Sequence, residues 1–157
     1  MRLAWVIGGV VSLIGMGCAV GPMLTEGIVQ TPEAVVESVR VVDQTDDGLR
    51  LEAVVRIRNP NEVGLAAQRG SVWFELEGLR PYEARMEPTI ALPPSGERLW
   101  RVPVAVAKPS PGWSAGGRSY KMEVELRFVP PGELREILTE SGVPLPWLSA
   151  TARGRLP

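Results

Sequence analysis

The feature that most constrains the fold is the alternation of apolar and polar side chains in two long stretches. Leu49, Leu51, Ala53, Val55 and Ile57 point one way, and Arg50, Glu52, Arg56 and Arg58 point the other. Further on, Tyr120, Met122, Val124, Leu126 and Phe128 form a second apolar row, opposed by Lys121, Glu123, Glu125 and Arg127. A period of two belongs to a strand with one packed face and one wet face, the pattern of an antiparallel sheet.

Shorter stretches repeat the pattern. Trp100, Val102, Val104 and Val106 make an inward row, and Val72, Phe74 and Leu76 alternate with Trp73, Glu75 and Glu77. In the first strand, Val35, Glu37, Val39 and Val41 are expected on one face, and Val36, Ser38, Arg40 and Val42 on the other. Turn chemistry separates the strands at Asp43–Gly48, at Asn59-Pro60-Asn61 and at Pro93-Pro94-Ser95-Gly96. Gln68-Arg69-Gly70 reads as a connection between the apolar piece Val63–Ala67 and the strand that follows. Gly78–Met86 has room for a return strand, Lys108–Gly117 is a Pro-, Gly- and Ser-rich loop, and Glu133–Leu138 holds the one plausible helical turn. The stretch Trp147–Leu156 alternates again and is placed to close a sheet. The fold class is all-β: an immunoglobulin- or fibronectin-III-like antiparallel β-sandwich of about seven strands, with a closed barrel as the alternative. No fixed-period repeat is present, so residues 34–157 are read as one domain.

The N-terminus has a different character. Met1-Arg2 is a short positive start, Leu3–Met16 is apolar and without charge, and small residues follow at Gly17-Cys18-Ala19. These are the parts of a secretory signal. The run Leu13-Ile14-Gly15-Met16-Gly17-Cys18 resembles the lipobox of bacterial lipoproteins, in which the chain is cut before a cysteine that then carries acyl chains. That resemblance implies a signal over 1–17, lipidation at Cys18 and a tether over 18–33. Ala19 differs from the Asp that retains lipoproteins in the inner membrane, so the expected location is the outer membrane, facing the periplasm. An uncleaved single membrane anchor and an ordinary signal cut elsewhere remain the alternatives. The tether contains Gly-Pro and Thr-Pro and reads as extended.

Composition removes most chemistry. The 157 residues contain no histidine and a single cysteine, Cys18. Nucleophile–histidine triads and zinc sites therefore lack their parts, and no intramolecular disulfide can form. A net charge of −1 gives no field to steer the chain toward nucleic acid. Asp43, Asp46 and Asp47 share a turn but lack the spacing of a calcium loop, and read as a solvated turn. No catalytic residue, metal site, cofactor or small-molecule substrate is nominated. Trp113 and Trp147 lie in Pro- and Gly-rich segments; each is expected to fold back over an open end of the sandwich, with contact to a membrane or partner as the alternative.

The segment Val35–Ala107 resembles the late-embryogenesis-abundant type 2 family, also called the water-stress and hypersensitive-response (WHy) domain. The resemblance rests on Glu37-Ser38-Val39-Arg40-Val41 before an acidic turn, on Leu51–Arg58 running into Asn59-Pro60-Asn61, and on Val72–Leu79 followed by a strand like Leu99–Val106. It implies an immunoglobulin-like sandwich, no catalytic residues and an association with desiccation and stress protection. The Asn-Pro-Asn is read as a structural turn whose side chains satisfy backbone groups. Pro130–Trp147 matches nothing in the family. The function expected is a lipid-anchored envelope protein that binds or protects under water stress, with envelope proteins as partners. The alternative is an accessory subunit of an envelope assembly, pairing through a sheet edge, loop tips or the tail from Pro144.

Overall fold

The structure, a computed structural model, describes residues 29–157. The proposed signal, Cys18 and most of the tether lie outside the described residues.

Eight strands and one helix follow in chain order: β1 (Glu33–Gln44), β2 (Gly48–Arg58), β3 (Leu65–Leu76), β4 (Tyr82–Met86), β5 (Ala91–Leu92), β6 (Glu97–Ala107), β7 (Ser119–Val129), α1 (Gly132–Glu140) and β8 (Trp147–Arg155). They form a three-stranded sheet in the order β1-β2-β6 and a five-stranded sheet in the order β4-β3-β7-β8, with β5 paired to β3. Every pairing is antiparallel. The sheets keep separate edges, so the architecture is a sandwich and not a closed barrel. The strand count exceeds the expected seven through β5, a two-residue piece. The tail from Trp147 is a strand of the domain's own sheet, bonded to β7.

Burial follows the alternation in the most regular strands. Leu51, Ala53, Val55 and Ile57 of β2, Val102 of β6, and Met122, Val124, Leu126 and Phe128 of β7 are each at 0% exposure. These rows face one another across the sandwich and, with Val72 and Phe74 of β3, make one continuous core. Pro103 is tolerated within β6 because that strand lies at a sheet edge, bonded only to β2.

Two readings of the sequence are corrected. In β1 the register shifts between Val36 and Ser38, so Glu37 is a bulge residue. The inward row is therefore Ala34, Val36, Val39 and Val41, and Val35 is 63% exposed. Uninterrupted alternation would have pointed the Glu37 carboxylate into the core. The bulge turns it out, where it pairs with Arg56 of β2. In β3, Gln68-Arg69-Gly70 is no connection, because the strand runs unbroken from Leu65 to Leu76 with a register shift between Ala67 and Arg69. Gly70 serves close approach here: a Cβ on it would lie 2.9 Å from the Leu126 side chain of β7.

The wet face of the smaller sheet carries a lattice of opposed charges. Glu52 accepts from Arg40 at 2.8 Å and from Arg101 at 2.9 Å, and Arg56 bridges Glu37 and Glu97. Such exposed pairs contribute little individually to stability, and they cover the backbone ladder with matched charge.

Helix α1 is longer than the expected turn. Leu138 is its buried residue, and the chain leaves it through Gly142 at φ +66°, with the Val143 N–H donating to Leu138 O at 2.9 Å.

Candidate functional site

Asn59 and Asn61, at the end of β2, are the only buried polar residues among the described residues. Asn59 Nδ2 donates to Val63 O at 2.8 Å and to Pro93 O at 2.9 Å. Its Oδ1 accepts from Asn61 N at 3.1 Å and from Asn61 Nδ2 at 2.8 Å. Asn61 also exchanges bonds with the incoming chain: Nδ2 donates to Gln30 O at 2.8 Å, and Gln30 N donates to Oδ1 at 2.6 Å. Backbone bonds from Asn59 N to Gly96 O and from Ser95 N to Asn61 O complete the knot. Pro60 holds the corner between the asparagines and donates nothing. Every donor of the two amides is engaged, so the motif stitches the 59–64 and 93–96 turns to the point where the N-terminal segment enters. The sequence pointed to this turn but not to Gln30, whose only signal was a place in the tether.

The two tryptophans sit at opposite ends. Trp113 packs against the core near the 43–48 turn end, with the Arg118 guanidinium 4.6 Å above its ring. It folds back as expected. Trp147 does not: it is 54% exposed at the end where the chain enters. Leu148 fills the adjacent inward position of β8 and turns Trp147 outward. Beside it lies an open, largely apolar groove of about 520 Å³, whose walls include Val29, Leu138, Val143, Pro144 and Leu145.

Among the described residues no three His, Cys, Asp or Glu side chains are grouped to hold a metal ion. Asp43, of the acidic turn, lies 3.6 Å from Arg50. Two carboxyls are perturbed, each by a structural partner. The hydrogen bond from Arg40 lowers Glu52 below the ordinary range, assisted by Arg101. The Ser119 hydroxyl, 2.7 Å away, and the Ser119 N–H, at 3.1 Å, lower Glu77. Glu77 therefore ties Ser119 just beyond the last registered pair between β3 and β7, Leu76 and Tyr120. A carboxyl whose pKa is lower folded than unfolded contributes stability above its ordinary value of 4.5, which is lost as pH falls through the lower folded value. The expected result for Glu77→Gln is a smaller fall in melting temperature between pH 7 and pH 3 than in the parent, read by thermal unfolding across that range.

No protein-family model matches the sequence, and no curated protein matches it. Solved structures do. A protein assigned to the late embryogenesis abundant (LEA) class, determined in solution, superimposes with a TM-score of 0.58 at 22% identity, covering 81% of this chain and 72% of that one. The structural-genomics target SoR45, determined by X-ray diffraction, gives 0.55 at 13% identity, covering 82% of this chain and 89% of that one. At these identities the likeness is one of fold.

Proposed function

We propose that this chain, which has the sandwich fold of a protein of the LEA class, is a non-catalytic, lipid-anchored protein of the cell envelope that binds or protects under water or desiccation stress. The observation that carries the reading is the shared fold over four-fifths of the chain, in agreement with the motif order around Asn59-Pro60-Asn61. The chemistry of the domain supports a non-catalytic role. With no histidine in the chain, acid–base work would fall to carboxylates. Glu37, Glu52 and Glu97 are engaged by arginines, and Glu77 by Ser119. Anchoring rests on the sequence around Cys18 and would hold the domain at the outer membrane, facing the periplasm.

The chemical fate of Cys18 tests the anchor. Expressed in a bacterial host with a palmitate analogue, the mature chain is expected to begin at Cys18 and carry acyl mass. Cys18→Ala is expected to lose the label completely. An uncleaved, unlabelled chain would replace the lipid with a membrane-spanning anchor, and a cut elsewhere would make the domain a free exported one. Survival of dried cells lacking the protein tests the protective role; unchanged survival would remove it.

A further inference from the structure

The outer face of the five-stranded sheet holds a row of side chains that the sequence did not reveal as neighbours. Arg69 of β3 is registered opposite Arg127 of β7, and Arg127 opposite Trp147 of β8. All three are exposed, because Gly70, Leu126, Phe128 and Leu148 take the inward positions. Neither arginine belongs to an ion pair among the described residues. Like charges directly opposite on a sheet are unfavourable. Arg69 and Arg127 also line a trough with Arg85, Glu83, Glu87 and Glu125, whose charges balance and give it no general affinity for polyanions. What the row presents is an amphipathic indole beside two guanidinium groups at one level.

The row lies at the end of the sandwich where the chain enters. Trp147 shares its groove with Val29, Gln30 and Thr31, and Gln30 is fastened to the domain by Asn61. Cys18, the proposed point of lipid attachment, lies eleven residues before Val29. Such a length spans at most about 40 Å when fully extended. A chain anchored at Cys18 is tethered at this end of the sandwich, and the Trp113 end is the far one.

We infer that Trp147, with Arg69 and Arg127 beside it, docks the domain onto the surface of a phospholipid bilayer. The indole would lie at the level of the headgroups, with the guanidinium groups on lipid phosphates. Tryptophan collects at that level because its ring is apolar and its N–H is not, and arginine forms paired hydrogen bonds to phosphate. The inference rests on the membrane-anchored reading above and adds a fixed orientation to it.

The test uses the full chain reconstituted into vesicles of phosphatidylethanolamine and phosphatidylglycerol with brominated acyl chains. Flotation reports the anchor, and bromine quenching reports docking. Subtracting the emission of Trp147→Phe isolates Trp147. That component is expected to be blue-shifted and to lose most of its intensity to bromine, with the loss reduced in Arg69→Gln/Arg127→Gln. Equal quenching of the parent and Trp147→Phe, while both float, overturns docking and leaves the anchor intact. A Trp147 shielded from acrylamide but untouched by bromine would mean a second copy or a protein partner, and also overturns it. A parent chain that does not float overturns the anchored reading itself.

Discussion

Replacing Asn59 by Ala is expected to destabilise the domain by roughly 3 kcal/mol or more, because several buried polar groups lose partners that cost about 1–3 kcal/mol each. Asn59 is at 0% exposure, and its amide serves two carbonyls and two Asn61 donors. The two bonds to Asn61 are buried, and those to Val63 and Pro93 are partly buried. For a domain of this size the loss corresponds to a fall in melting temperature of roughly 10–15 °C. Asn59→Asp is the sharper variant. It is almost isosteric, yet it presents oxygen to the Val63 and Pro93 carbonyls, where the amide presented hydrogen. It is expected to cost at least as much as Ala. Thermal or urea unfolding of the three chains checks this. Unaltered stability with loss of some binding property would instead make the Asn-Pro-Asn a recognition site.

The second large effect is expected at Phe74. Its ring is at 0% exposure in the middle of β3 and stacks on Tyr120 of β7, with centroids 6.0 Å apart and planes 21° from parallel. Phe74→Ala removes the largest side chain of β3's inward row and opens a cavity between the sheets, which costs about 3–5 kcal/mol. Phe74→Leu keeps most of the volume and is expected to cost less than half of that. Urea midpoints at an unchanged slope would show that the packing is lost without a change in the unfolded chain. A Phe74→Ala effect below about 1 kcal/mol would mean that the core collapses freely around the site. That outcome would contradict the close packing of Gly70 against Leu126 on the same pair of strands.

The strands that could be read from sequence are those whose alternation is unbroken. β2, β6 and β7 each present an inward row without a bulge, so the local pattern and the final burial agree. β1 and β3 depart from their local patterns, and each carries a bulge. A bulge adds a residue and reverses the phase of everything beyond it. Its position is set by the partner strand: Val55 and Val54 determine where Glu37 must be skipped. Charged and glycine residues at Gln68-Arg69-Gly70 look like a turn on their own, yet β7 supplies a ladder along nearly all of that strand.

The candidate site divides in the same way. Asn59-Pro60-Asn61 is a contiguous motif, and contiguity makes it visible; Cys18 lies outside the described residues. The exposure of Trp147 was not visible, because it depends on which of two adjacent residues of β8 meets the core, and Leu148 does.

Taken alone, the sequence determined an all-β domain, the inward rows of its regular strands and the lack of histidine chemistry. Each of these is a property of neighbours in the chain or of composition. Only the tertiary structure decided the phase of β1, the continuity of β3, the bond between Asn61 and Gln30, and the row of Arg69, Arg127 and Trp147. These depend on pairings between residues as many as 63 positions apart, in the case of Ala66 and Val129. Register between strands is a long-range outcome of packing both faces at once, and no local pattern carries it.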